Sequence, residues 1–536
     1  MALEIVAAIT LGIASFVLLV YLYLTRNYSY WKKRSIAGPE PVPVFGNYKD
    51  TALRRTTFNE LFKHFYESYP ESKVVGIYRA WHPAILVRDL DAVKHVMIRE
   101  FDNFSDRGFS FSNKGLGFNL FNAESDDWRV LRSRLSPIFT TGKLKNMLYL
   151  ITERADKFLD YLGPVIEKSP EQNIHTLVQR FTIGSIGACA FGIDIDINDV
   201  DNVFETLDNL IFSSNYAIEL ETMYPGILKK FDMSFWPKAI KDFFYGLVKD
   251  ILRERNGKAS NRKDFMDLML ELRNAGEIHG VKRHEDDKDR KLQITDDVMA
   301  AQAFVFYAGG YETSATTMGF LLHELAMHPE IQDRVVAEIN QVLKKHDEKV
   351  TYDCIKDMTY LDQVFNETLR MYPVVDPIPR LALGRVELPG TGVTVEKGMG
   401  VLVSVSGIHY DPKYWSNPTE FNPDRFSPEN AKDIHPCAFL PFGLGPRNCI
   451  GMRFGQVQSK VCLVKMLQFY RVEPCARTRR RLEFDPHRFI LRSKHGLPLR
   501  VVPRTHQKLA IRLLMTAKKS GTPGLSEHAR RADVPG

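Results

Sequence analysis

Cysteine is scarce in this chain: six in 536 residues, with no C-x-x-C pair among them. That excludes a disulfide scaffold and argues against zinc fingers and iron–sulfur clusters. It leaves free thiols in a reducing environment, where one thiolate can serve as a metal ligand. A charge surplus over the body of the chain is missing too. Net charge is +7, but the stretch from Arg504 onward holds seven Lys/Arg against two Asp/Glu, five of those seven charges. The remainder is nearly neutral, so no broad basic field exists to bind nucleic acid. Internal repeats and low-complexity tracts are absent, which excludes solenoids and repeat arrays. Apolar residues are what the chain has in plenty: 44% hydrophobic, with 34 Phe and 21 Tyr. Such a chain is too apolar for disorder and large enough for a sizeable core.

Residues Ile5 to Leu24 carry no charge. At about 1.5 Å per residue they span about 30 Å, one bilayer core. Arg26, Lys32, Lys33 and Arg34 follow the run instead of preceding it, and no small-x-small site comes after it. An uncleaved anchor over residues 1–25, with the remainder in the cytosol, is therefore expected over a cleaved signal peptide. Tyr21, Tyr23, Tyr28, Tyr30 and Trp31 are expected at the membrane interface. Three alternating prolines in Gly38-Pro39-Glu40-Pro41-Val42-Pro43 stiffen the chain and exclude a helix. Residues 26–46 thus read as a basic, proline-rich hinge before a body spanning 47–504. Residues 505–536 form a basic extension whose composition does not support a packed core, and disorder is expected there. A genuine extension and a shifted reading frame would both produce it.

Strand-like alternation marks Lys73–Tyr78 and Ala84–Val87. Helical periodicity dominates from about Asp126 to Tyr372, broken by a charged stretch from Asn274 to Lys291 that reads as an exposed loop. Strand and loop signals return from Pro389 to Phe421. The fold class expected is mainly α with small β-sheets (α+β), preceded by one N-terminal transmembrane helix. The longest helix is predicted from Asp296 to about His328, capped by Thr295, ended before Pro329 and apolar nearly all round, hence buried.

The sharpest local signal is Pro441-Phe442-Gly443-Leu444-Gly445-Pro446-Arg447-Asn448-Cys449-Ile450-Gly451. Glycines shape a tight loop, and one cysteine sits where a helix begins, so backbone N–H groups can favour its thiolate. Arg447 can pair with a carboxylate of a bound group, and Gly451 lets the helix lie flat on a planar cofactor. An isolated cysteine in a loop would ordinarily be a structural one. Here the spacing F-x-x-G-x-R-x-C-x-G has a chance frequency of about 10⁻⁷ per position.

That pattern resembles the haem-ligand motif of the cytochrome P450 superfamily, and other motifs of that family follow in order. Glu367 and Arg370 resemble its E-x-x-R pair, with Arg425 as the third member of a structural network. Gly309-Gly310-Tyr311-Glu312-Thr313-Ser314 resembles its oxygen-activation motif: two mid-helix glycines permit a distortion, Thr313 offers a hydroxyl to dioxygen and Glu312 helps deliver protons. Trp128 and Arg132 resemble its W-x-x-x-R element and, with Arg380, are candidates to contact a haem propionate. Asn119-Leu120-Phe121, Phe139-Thr140-Thr141-Gly142-Lys143 and the run from His435 to Gly443 resemble the insect family-six microsomal enzymes.

The resemblance implies a cytochrome P450 fold, haem b ligated by the Cys449 thiolate, and monooxygenation of lipophilic small molecules such as plant toxins, insecticides or endogenous lipophiles. It implies NADPH electrons arriving through NADPH-cytochrome P450 reductase, with NADPH not bound directly. Cytochrome b5 is a further partner, and the endoplasmic reticulum membrane is the location. Phe109, Phe111, Phe118, Phe212, Val374 and Val375 are candidate substrate contacts, with Tyr216 beside them. Arg129, Arg134, Lys143 and Lys145 are candidate docking charges for the reductase. A haem-thiolate isomerase independent of dioxygen and a non-catalytic haem sensor are the rivals; NADPH consumption with added reductase separates them.

Overall fold

The charge-free run forms helix α1 (Ala2–Thr25), long and apolar enough to cross a membrane. None of its residues is buried, as fits an anchor and not a core helix. The computed structural model describes residues 1–109, 115–198, 203–213, 215–233, 235–260, 262, 264–279 and 291–504. Phe111 and the extension 505–536 lie outside them.

The segment after α1 is not a free hinge. Trp31 is buried and donates its Nε1–H to the Ile77 carbonyl (3.0 Å), and Tyr78 donates its hydroxyl to the Tyr28 carbonyl (3.0 Å). A side chain at Gly76 would collide with the Trp31 ring. The aromatic residues expected at the interface are thus divided: Tyr21 and Tyr23 stay exposed on α1, whereas Trp31 belongs to the core. Burial of a large indole outweighs its preference for the membrane boundary.

Trp31 packs on a four-stranded sheet. Strands β1 (Val74–Arg79) and β2 (His82–Val87) pair antiparallel, Val74 opposite Val87. Every residue of β1 is buried, so both its faces are covered and the alternation expected from the sequence does not apply. Helix α2 (Ser125–Leu135) opens the helical body, followed by α3 (Thr141–Lys168), the short strand β3 (Glu171–Asn173), α4 (Ile174–Ile186), α5 (Val203–Phe212) and α6 (Lys238–Glu254). The charged break is not wholly loop, because Glu277–His279 pairs antiparallel with Lys291–Gln293.

Helix α7 (Asp296–Met327) runs through the centre. Thr295 caps it by accepting the Val298 N–H (3.3 Å), and Asp296 and Asp297 occupy the first turn. It packs against α4 and α6. Helices α8 (Pro329–Lys345) and α9 (Thr359–Met371) follow, then β4 (Ile378–Leu381) and β5 (Gly400–Val403). Strand β5 completes the first sheet, parallel to β2 and antiparallel to β4. Helix α10 (Met452–Phe469) starts three residues after Cys449. It leads into β6 (Tyr470–Pro474), which pairs with β7 (Pro498–Pro503), and β7 pairs with β3. A large helical core and a smaller core around the first sheet result.

Candidate active site

The loop before α10 has the geometry its glycines suggest. Gly443 and Gly445 both sit at φ +74°, where residues with a Cβ are strained. A side chain at Gly445 would also strike the Met97 carbonyl. The loop closes on itself through the Cys449 N–H, which donates to the Phe442 carbonyl (2.8 Å); the Phe442 ring packs against the large core. A Cβ at Gly451 would meet nothing nearer than Phe139, at 4.0 Å, so that face is open to a flat group. Phe139 in turn stacks on Phe306 of α7 (5.4 Å).

Of the six cysteines, Cys449 alone is exposed. It faces open space on one side and dense protein on the others. That surrounding protein raises its thiol pKa; the Gly451 N–H and the charges of Arg132 and Arg107 act in the opposite sense without winning. The Gly451 N–H thus favours the thiolate, as the loop suggested, and a bound metal's charge would favour it further.

Glu367 and Arg370 form a fully buried bidentate pair (2.7 and 2.9 Å), and Arg425 donates to Glu367 (3.2 Å). The Arg370 Nη1 reaches the His409 and Pro418 carbonyls (both 2.9 Å). His409, which no sequence pattern marked, links this network to the cysteine loop. Its Nε2 accepts the Leu440 N–H (2.9 Å), which makes Nδ1 the donor to the Arg370 carbonyl (3.0 Å). Burial and the Arg370 charge push its pKa down to about 3, so the ring is neutral.

Helix α7 lies alongside α10 here. Gln458 donates to the Gly310 carbonyl (3.1 Å), and a Cβ at Gly455 would lie 3.6 Å from the Ser314 hydroxyl. Gly309 is exposed and Phe306 and Thr313 half-buried, although most of α7 is buried. The two glycines do not break the helix. It stays α-helical, and the Thr313 hydroxyl donates to the Gly309 carbonyl (2.7 Å). Glu312 points the other way, fully buried. It accepts from Gln179 (2.8 Å) and faces His175 (3.2 Å), Arg488 (3.4 Å) and Arg492 (3.7 Å). Asp208 joins by binding Arg488 (2.7 Å), Arg492 (2.8 Å) and the Tyr311 hydroxyl (2.9 Å).

Near the cysteine loop the structure gathers four guanidinium groups: Arg107, Arg132, Arg380 and Arg447. Burial lowers the pKa of each, Arg447 to about 8, Arg380 to about 9 and Arg107 to about 10. Mutual repulsion adds to it, from Arg107 on both Arg380 and Arg447. Arg107, Arg380 and Arg447 each keep a buried Nε without a partner. Among the described residues, the carboxylate in ion-pair contact with Arg447 is Asp106 (3.6 Å). Crowded, partly unsatisfied cations of this kind suit a group bearing two carboxylates, and the residues fit the propionates of a haem. Arg107 was not legible in the sequence, because nothing local distinguishes it from a surface arginine.

Two further residues expected at the propionates, Arg132 and Trp128, make these contacts within the protein. Arg132 directs both terminal nitrogens at Asn448, to its carbonyl and its Oδ1 (both 2.8 Å), and so clamps the residue before the cysteine. Trp128 is buried against Phe101 (5.5 Å), with the Arg447 guanidinium 5.0 Å from its ring. Arg447 itself gives its terminal nitrogens to the carbonyls of Ser105, Phe121 and Ala123. Among the substrate candidates, Phe212 is ordinary core between Tyr311 (5.7 Å) and Phe489 (5.4 Å). Val374 is buried, and its carbonyl accepts the Leu491 N–H (2.9 Å). Phe109 and Phe118 are half-buried, Val375 is exposed and Tyr216 lies on the surface.

Comparison with known proteins agrees with this geometry. The family model for cytochrome P450 matches residues 36–499. Cytochrome P450 6B2 of Helicoverpa armigera is 52% identical over 92% of this chain and 97% of its own length. Cytochrome P450 6B1 of Papilio polyxenes is 49% identical over 91% and 97%. Cytochrome P450 6a8 of Drosophila melanogaster is 36% identical over 91% and 97%.

Proposed function

The chain belongs to the cytochrome P450 family, with the insect family-6 enzymes, and is a haem-thiolate monooxygenase; on that premise we propose that Cys449 is its thiolate ligand and that it oxidises lipophilic small molecules. Foreign compounds such as plant toxins and insecticides are the substrate class. Electrons come from NADPH through a membrane-bound reductase, with cytochrome b5 as a second donor. α1 anchors the enzyme in the endoplasmic reticulum membrane with the body on the cytosolic face. The observation that carries the ligand assignment is the exposure of one thiol out of six, at the start of α10 and beneath a cluster of arginines.

The haem, when bound, supplies the redox chemistry that activates dioxygen. The chain's own residues do the rest. Arg107, Arg380 and Arg447 would hold the haem's propionates and neutralise their charge. Arg132 fixes the backbone next to Cys449, while Glu367, Arg370, Arg425 and His409 hold the loop from behind. These four are structural, since none faces the open side. Thr313 has its hydroxyl proton committed to Gly309, so its oxygen serves as an acceptor that orients a donor in the open space. Glu312, held by four side chains, is the proton reservoir behind it. Phe139 and Phe306 line an apolar wall that limits water.

The test is Cys449→Ala in the full-length protein. The reduced carbon monoxide complex of the wild type should show the red-shifted thiolate Soret band, and the variant should lack it. Retention of that band would assign the ligand to another cysteine. Purified reductase, NADPH and a panel of lipophiles then test turnover.

A further inference from the structure

Close to Glu312 lies a polar cavity of about 310 Å³ lined by His175, Asn209, Ser213, Thr316, Arg488 and Arg492 among others. It has room for several waters at about 30 Å³ each. His175, the second residue of α4, stands between this cavity and the carboxylate. Its Nε2 lies 3.2 Å from Glu312 Oε1 and 3.4 Å from the Thr316 hydroxyl. Its Nδ1 is buried and has no hydrogen-bond partner among the described residues.

The charged groups around it are Glu312 on α7, Asp208 on α5, and Asp485, His487, Arg488, Arg492 and Lys494 on the segment before β7. The two arginines are bound to Glu312 and Asp208 and offer donor nitrogens only. Gln179 touches Glu312 but does not titrate. His175 is thus the group in contact with Glu312 whose ring has two nitrogens, one able to donate and the other to accept.

Resting on the role given to Glu312 above, we propose that His175 is a positioning residue that passes protons from this cavity to Glu312. A proton from cavity water goes to Nδ1, and the Nε2 proton passes to the Glu312 carboxylate. The resulting carboxylic acid gives its proton towards Thr313, and exchange with cavity water resets the imidazole tautomer. No electrons move, and the proton is drawn from solvent.

The experiment uses the full-length holoenzyme with reductase and three variants. His175→Gln keeps a hydrogen bond to Glu312 but cannot relay, Ser213→Phe fills the cavity, and Glu312→Gln removes the acceptor. His175→Gln and Ser213→Phe should each lower product per NADPH by roughly tenfold, less than the ~10²–10⁴-fold of a group that transfers the proton directly, because His175 acts through Glu312. Substrate KM and haem content should stay unchanged, and the solvent deuterium isotope effect should rise. Should His175→Gln fail to fold, Ser213→Phe decides by the same readouts. Wild-type coupling in both variants overturns the proposal, and so does wild-type coupling in Ser213→Phe alone. A readout independent of turnover is the ¹⁵N spectrum of histidine-labelled protein, with His175 assigned by its loss in His175→Gln. The proposal requires Nε2–H and a free Nδ1 in the wild type, altered in Glu312→Gln; a proton resident on Nδ1 overturns it. Glu312→Gln that stays coupled defeats the role of Glu312 itself. Coupled His175→Gln beside uncoupled Glu312→Gln defeats only the relay through His175.

Discussion

Thr313 makes the hydroxyl-to-carbonyl bond that threonines often make inside helices, here to Gly309 (2.7 Å). Its neighbours set it apart. Gly309 has no side chain to cover that carbonyl, and the helix surface opens there, while one residue away Glu312 is fully buried among cations. The pair thus divides between an open face and a buried one. Thr313→Ala should leave haem binding and substrate-induced spectral shifts intact. Stability should change by less than about 1 kcal/mol, since the side chain is half-buried. NADPH should still be consumed, but product per NADPH should fall roughly tenfold, with hydrogen peroxide appearing in its place. Thr313→Ser should restore most of the coupling. Unchanged product per NADPH in Thr313→Ala would remove this hydroxyl from proton delivery.

Between elements, His409 joins α9 to the cysteine loop through one ring, Nδ1–H to Arg370 and Nε2 from Leu440. A protonated ring would lose its acceptor and leave the Leu440 N–H facing a donor. The unfolded chain takes up a proton below about pH 6.5, and the folded one only near pH 3. The stabilising share of His409 is therefore complete above about pH 6.5 and lost as pH falls from there towards 3. By linkage the loss reaches roughly 3–5 kcal/mol at the acid end. His409→Gln should be less stable at pH 7.5 and should lose haem faster. The gap in unfolding free energy between variant and wild type should narrow steadily from pH 6.5 to pH 4. Urea unfolding across that range measures it, and a gap independent of pH would show that the imidazole does not titrate as argued.

At the scale of the whole molecule, the surface over the cysteine loop is where the proposed reductase would dock. A hollow of about 410 Å³ borders Pro446 and is lined by Arg99, Arg129 and Arg132. The basic residues expected to dock a reductase are not all equally available. Arg129 is bound to Asp102 (2.7 Å), Lys145 to Asp353 (3.0 Å), and Arg134 to the His279 carbonyl (3.0 Å). Arg99 and Lys143 are exposed and carry the prediction. Arg99→Glu and Lys143→Glu should slow haem reduction by the reductase several-fold at low salt. The defect should shrink near 1 M salt, where the Debye length is about 3 Å. Stopped-flow reduction at several ionic strengths measures this, and a defect equal at all of them would point to misfolding.

What this sequence determined alone is local. Phe442, Gly445, Arg447, Cys449 and Gly451 lie within ten residues, and loop shape over that distance follows from backbone preferences, so the site could be read directly. The ends of α7 were legible because Thr295 and Pro329 act on the helix they adjoin, and α1 was legible from its length without charge. Tertiary structure decided the remainder. Arg107, His175, His409 and Arg488 meet the site from across the chain, Arg488 and Glu312 being 176 residues apart, and no local pattern announces such a meeting. Trp31 became core instead of interface, and Phe212 core instead of pocket. Arg132 turned to Asn448 and left the unpartnered guanidinium atoms to Arg107, Arg380 and Arg447. The physical reason is common to all of these. Periodicity and composition state which face of an element is apolar or charged, but its partner is chosen by packing the whole chain at once, where burial and charge neutralisation are settled together.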